Sequence, residues 1–270
     1  MLPIVDINGH EYKLGCQQRV CDPGDLFPLF GGESFEPIPE SGWQECDWSH
    51  VVPEVMDQDG VGACNAFAAT SGLRCQRILS GQPDVRLSPG HLYGLINGGR
   101  DAGSLLGDAL TTLVDIGVCT TAEVAELAWR RRDWPSGLET VARKYRILEA
   151  FDCPTRAHIA TAIMRGFMVD YGILVGSDFN TASDGWVNEG KGRGGHAMCG
   201  VGLKKRVKNG KTQWGVLTLN SWGTRWGKPA GKLSGGFGIV PMSYFTDSIF
   251  TDGWCVRTAI DPSDEPWGPK

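Results

Sequence analysis

A chain of 270 residues, 41% of them hydrophobic and 21% charged, is long enough for one large domain or two packed lobes, and its composition excludes wholesale disorder. Its formal net charge of −5 gives no electrostatic support for nucleic-acid binding, and no apolar run is long enough to cross a bilayer. Nine cysteines, an odd count without regular spacing, make a poor disulfide framework and point to free thiols in a reducing, cytoplasmic setting, with a local Cys16–Cys21 pair as the open alternative.

The N-terminus "MLPIVDINGHEYKLG" lacks a basic stretch followed by an apolar one, so no secretory signal is expected. Residues 1–42 are rich in Gly, Pro and acidic side chains and read as an extended, turn-rich arm whose scattered Leu, Phe and Ile pack on the body. Residues 43–152 follow as a helical lobe. From Cys64, apolar positions at Phe67, Ala68, Cys75, Ile78 and Leu79 recur near one face of a helix that Gly81 stops. "LSPGHLYGLING" offers Ser88 as N-cap, Pro89 at the first helical position and Gly98 beyond the end. "SLLGDALTTLVDIG" predicts a further amphipathic helix closed by Gly117. "TAEVAELAWRRR" predicts another, acidic at its start and basic at its end as the helix dipole prefers.

After Cys153 the character changes. "PTRAHIATAIMRG" predicts one more helix, capped by Thr155. Then "FMVDYGILVG", "HAMCGVGLKK", "QWGVLTLN", "GGFGIV" and "WCVRTAI" read as strands, with an Asn-Gly hairpin turn at 209–210. Residues 153–260 are thus a β-rich lobe, and 261–270 a loose tail. The predicted class is α+β in two lobes. The basic runs "WRRRDW" and "LKKRVKNGK" are short, and read as a solvated face and a hairpin tip.

One constellation carries chemistry. Cys64 stands at a predicted helix start, where the dipole favours a thiolate. Of the histidines at 10, 50, 91, 158 and 196, His196 opens a strand after the glycine-rich "GKGRGG". Asn220, at the end of another strand in "TLNSWGTRWG", can orient an imidazole, and Trp222 can shield that bond from water. Gln58, six residues before Cys64, can add a side-chain donor to the Cys64 N–H in an oxyanion hole. Taken singly, each residue has a plainer reading. Cys64 would be a buried structural thiol, Asn220 a turn residue, Trp222 core packing, and Gly103 with Ser104 a helix start capped by the serine.

The ordered set resembles the papain-like (C1) cysteine peptidases. "QDGVGACNAF" matches the family's lead-in to its nucleophile, "GGHAMCGVG" its histidine block, and "NSWG" its asparagine block, over roughly residues 46–250. The resemblance implies a papain-like two-lobe fold with a cleft between a helical lobe and an antiparallel β-barrel-like lobe. It implies peptide-bond hydrolysis through an acyl-enzyme on Cys64, with His196 as acid/base, Asn220 as orienter and Gln58 in the oxyanion hole. Gly103, Ser104 and Gly195 would pair with the substrate backbone, Trp222 would stand beside the site, and residues near Leu174 and Ala197 would form the specificity pocket. A peptide or protein substrate is implied, and neither metal nor organic cofactor is required; the oligomeric state is left open. The leader "YKLGCQQRVCDPGDL" looks like that of compact bacterial or phage members.

Three departures stand out. Asn65 replaces the family's Trp, Ser104 replaces its second Gly, and Val61 replaces a cysteine, which removes a disulfide. The altered cleft keeps two other readings open: a non-hydrolytic binding protein on a peptidase scaffold, and a glutamine deamidase or transamidase using the same triad.

Overall fold

The computed structural model describes residues 1–18, 36–188, 192, 194–246 and 248–259. The middle of the expected arm, Cys21, half of "GKGRGG" and the expected loose tail lie outside the described residues.

The chain opens with a hairpin of β1 (Ile4–Ile7) and β2 (His10–Lys13), turned at Asn8 (φ 56°) and Gly9 (φ 80°). Alternation in "IVDI" and "HEYK" puts Val5, Ile7 and Tyr12 into the main core. The first part of the arm is therefore a β-ribbon packed on the body. β3 (Cys46–Asp47) follows.

Helix α1 (Cys64–Leu79) is buried almost all round, as the spine of a large protein must be. Phe67 and Leu73 face a helical core that includes Leu92, Leu106 and Leu110, whereas Cys75 faces a sheet core with Val201 and Leu217. α2 (Pro89–Ile96) has the predicted cap, Ser88 Oγ accepting from His91 N at 3.0 Å. α3 (Leu106–Asp115) begins one residue too late for Ser104 to cap it; Leu105 takes that position without a side-chain bond.

The helix expected from "TAEVAELAWRRR" does not form; residues 121–130 make turns. Thr120 and Glu123 close a first turn, with Thr120 Oγ1 donating to Glu123 Oε2 at 2.6 Å. The chain then packs so closely on α2 that a Cβ at Gly90 would lie 2.5 Å from Ala125 O. The Trp134 indole captures Ala128 O at 2.6 Å, a carbonyl that helix propagation would need.

After the short α4 (Glu139–Ala142) come β4 (Ile147–Asp152), α5 (Arg156–Met164), β5 (Val169–Val175), β6 (Gly194–Lys208), β7 (Lys211–Leu219), β8 (Lys228–Ala230), β9 (Leu233–Pro241) and β10 (Phe250–Ala259). They form a curled antiparallel sheet in the order β4-β10-β5-β6-β7-β9-β8, with β3 on β6. β4 pairs with β10 and β3 with β6, so two segments from before residue 153 belong to the sheet. Asn209 and Gly210, both at positive φ, make the predicted hairpin turn.

α1 lies against β5 and β6. There Asp170 on β5 is fully buried, and neither carboxylate oxygen has a hydrogen-bond partner. A Cβ at Gly72 would come within 2.7 Å of that carboxyl, so glycine is needed for the approach. Burial pushes the Asp170 carboxyl well up, against a smaller lowering by the Cys199 thiol. An acid whose folded value is raised is fully stabilising only below its unfolded value of about 3.9, and that stability is lost as pH rises toward the folded value. Asp170→Asn is therefore expected to raise the melting temperature at neutral pH by about 2 °C or more, with the gain vanishing near pH 4. Melting curves across pH check this; a lower melting temperature for the variant at neutral pH would show that the carboxylate is charged and stabilising.

Candidate active site

The start of α1 places Cys64 where the two lobes meet. It is fully buried. Backbone N–H groups of Ala197, Gly15, Asn65 and Cys64 itself face its sulfur, yet burial dominates and pushes the thiol up. His196 on β6, next to Ala197, is fully buried as well. Its Nε2 bonds to Asn220 Oδ1 at 2.8 Å, and Nδ1 has no partner. Burial lowers the imidazole to about 4, against a smaller raising by Asn220. In this closed site burial favours the neutral form of both groups.

Trp222 stacks on His196 with ring centroids 4.4 Å apart. It is fully buried and also stacks on Tyr12, with ring centroids 4.9 Å apart. Gln58 is buried across from it. Its Oε1 accepts from Ser221 Oγ at 2.7 Å, and its Nε2 donates to Val61 O at 2.9 Å and Lys13 O at 3.1 Å. Ser221, between Asn220 and Trp222 in "NSWG", is a residue of the site that the sequence motifs do not single out. Its hydroxyl fixes which way the Gln58 amide points.

The two odd substitutions meet each other. Asn65 Nδ2 donates to Ser104 O at 2.5 Å and to Ser104 Oγ at 3.1 Å. A polar side chain beside the nucleophile thus finds its partner in the serine that replaces glycine, and together they fix the Ser104 carbonyl. That carbonyl in turn accepts Gln17 N at 2.9 Å.

This last bond belongs to the least expected feature. Residues 13–17 run through the cleft. Cys16 N donates to Gly195 O at 2.9 Å, and Ser104 N to Gly15 O at 2.9 Å. The pairing of Cys16 with Ser104 is parallel. A Cβ at Gly103 would lie 2.2 Å from Gly15 O, and one at Gly195 2.0 Å from Cys16 O. Gly103, Ser104 and Gly195, the residues assigned to substrate pairing, are thus all engaged by the chain's own strap. The Lys13 carbonyl takes the Gln58 donor. The Lys13 ammonium pairs with Asp101, which also accepts from Gly62 N at 2.9 Å and Tyr93 Oη at 2.8 Å. Tyr12 Oη donates to Trp222 O at 3.0 Å. Cys16 enters a small pocket against Gly172 and Thr251, in one buried cluster with Cys64, Ala68 and Ala197. Ala197, fully buried, lies in that same cluster, and Leu174 sits half-buried on β5 opposite Gly195.

A helical lobe and a curled sheet, meeting at a helix-start cysteine, a strand histidine bonded to an asparagine and a glutamine donor, define a two-lobe thiol hydrolase. The model of the papain family cysteine proteases matches residues 42–231, and the chain belongs to that family. It is a cysteine peptidase that hydrolyses peptides through a thiol. Cathepsin B-like CP2 of Giardia intestinalis is 28% identical over 217 residues, covering 71% of this chain and 67% of the relative. Among solved structures, xylellain, a cysteine protease from Xylella fastidiosa, has a TM-score of 0.68 at 20% identity over 91% of this chain and 96% of its own. The bromelain protease of Ananas comosus has a TM-score of 0.61 at 22% identity over 78% and 97%.

Proposed function

We propose that the chain is a latent cysteine endopeptidase in which Cys64 is the nucleophile, His196 the acid/base, Asn220 the orienter, and Gln58 with the Cys64 N–H the oxyanion hole. The observation that carries this is the strap: the chain's own peptide groups occupy the backbone partners and the amide donor that a substrate carbonyl would use. When the strap lifts, water reaches the cleft. The desolvation that keeps Cys64 and His196 neutral is relieved, and a thiolate–imidazolium pair becomes favourable. His196 Nδ1, free of other bonds, is the nitrogen that exchanges the proton. The thiolate attacks the substrate carbonyl, the amine leaves with the proton from His196, and water hydrolyses the acyl-enzyme.

The strap's bonds to both Gly195 and Ser104 support its persistence as an inhibitor, since they tie it to both sides of the cleft. The mutual bond of Asn65 and Ser104 accounts for both substitutions without disabling the triad, which favours hydrolysis over a binding-only role. The eight described cysteines are unpaired, which supports a reducing compartment such as the cytoplasm.

A thiol-directed peptidyl epoxide tests the assignment. Under reducing conditions it is expected to add one equivalent per chain, on Cys64 by peptide mapping, and none to Cys64→Ser. Labelling at another cysteine, or none after the strap has been displaced, would overturn it.

A further inference from the structure

We propose that Cys16 is a resolving cysteine for Cys64: on oxidation the two form a disulfide that locks the strap across the cleft and protects the nucleophile. The proposal rests on the reading of Cys64 as the nucleophile.

Only 6% of the Cys16 surface and none of the Cys64 surface is exposed, and both thiols lie in one small cluster completed by the Ala68 and Ala197 side chains. The Gly15 backbone N–H acts on the Cys64 thiol and lowers it, so the residue directly before Cys16 lies near the nucleophile. The strap is held on both sides of Cys16, through Gly195 O on one lobe and Ser104 N and O on the other. It returns to the same register each time it closes, and brings Cys16 into the buried cluster that holds Cys64. Bulk is excluded there: Gly172, Gly195 and Gly103 lack the side chains that would push Cys16 away. In the reduced protein Cys16 Sγ rests 3.6 Å from Thr251 Oγ1, and that weak contact is what the bond gives up.

The oxidant is a peroxide. With the strap lifted, the Cys64 thiolate attacks a peroxide oxygen, giving Cys64 sulfenate, which takes up a proton to become the sulfenic acid, and releasing water from hydrogen peroxide. When the strap closes, the Cys16 thiol attacks the sulfenic sulfur. The S–S bond forms, the S–O bond breaks, and hydroxide leaves with the Cys16 proton as a second water. Two thiols have been oxidised and one peroxide reduced. A thiol reductant reverses the step by exchange, whereas a sulfenic acid left unresolved goes on to sulfinic and sulfonic acids that thiols cannot restore.

The test treats reduced wild type and Cys16→Ser with hydrogen peroxide and then with dithiothreitol, comparing each protein's peptide hydrolysis with its own value before oxidation. Wild type is expected to yield a Cys16–Cys64 cross-linked peptide in a non-reducing map and to recover most of its hydrolysis. Cys16→Ser is expected to lose its hydrolysis irreversibly and to carry sulfinic or sulfonic acid at Cys64. The map of wild type alone decides the matter if the variant misfolds. Hydrolysis that survives equally in both proteins, or Cys64 found over-oxidised or joined to another cysteine in wild type, would overturn the proposal. A Cys16–Cys64 cross-link in a protein that never hydrolyses peptides would overturn the peptidase assignment instead and leave the thiol pair standing.

Discussion

Gly15→Val is expected to raise peptide hydrolysis about 30-fold, the population shift set by about 2 kcal/mol of overpacking against the strap. The residue added at position 15 has nowhere to go. Its Cβ would lie 2.0 Å from Gly62 O and 2.6 Å from Gly62 C, which are backbone atoms with no rotamer to change. Gly62 cannot retreat easily, because its N–H is held by Asp101, which is itself bonded to Tyr93. The strap is the part that yields. Its hairpin stays anchored, since Val5, Ile7 and Tyr12 belong to the main core, so the clash is relieved by lifting the strap, which draws Leu14 out of that core, rather than by unfolding the chain. Gly15 is not at positive φ, so the substitution acts through space and not through backbone strain. Gly60→Ala serves as the control, because a methyl there meets open space. Initial rates on a fluorogenic peptide, with circular dichroism to confirm the fold, check the expectation. A folded Gly15→Val protein with an unchanged rate would mean that the strap does not limit turnover.

The triad and its lobes can be read in the sequence because each motif is local. Gln58 to Cys64 is a single turn and helix start, "NSWG" is a strand end, and the helix over 64–79 follows from its apolar spacing and Gly81. What escaped the reading is made by contacts between distant segments. "YKLGC" has no pattern that marks it as a cleft occupant; its role comes from backbone bonds to Ser104 and Gly195, and backbone groups look alike in every sequence. Asn65 and Ser104 are visible as two separate oddities, while their bond exists only once α1 and the loop before α3 are packed. The failed helix after Thr120 has good helical composition, but close packing on Gly90 and the grip of Trp134 on Ala128 O outweigh propensity. Glycine content was itself a signal. Gly15, Gly103, Gly172 and Gly195 all mark places where another segment approaches more closely than a side chain permits; Gly15 lies in the strap and the other three border it.

Gln58→Ala should separate chemistry from access to the nucleophile. Ser221 holds Gln58 at two points: its Oγ donates to the side-chain Oε1 at 2.7 Å and so orients the amide, and its carbonyl accepts the Gln58 backbone N–H at 2.8 Å. That leaves Nε2 aimed at the Lys13 carbonyl while the strap is closed, and at the substrate's developing oxyanion once it lifts. Loss of one such donor costs about 10²- to 10³-fold in kcat, because the charge it meets develops in the transition state. Measured in the Gly15→Val background, where the strap is already displaced, Gln58→Ala should lose hydrolysis by that factor with little change in KM. Ser221→Ala, which frees the amide to rotate without removing it, should lose less, about 10-fold. Opening of a peptidyl epoxide by Cys64 forms no carbonyl oxyanion, so the same Gln58→Ala protein should still label at close to the parent rate. If labelling falls as far as hydrolysis, Gln58 is holding the shape of the site around Cys64, and the oxyanion role passes to the backbone N–H alone.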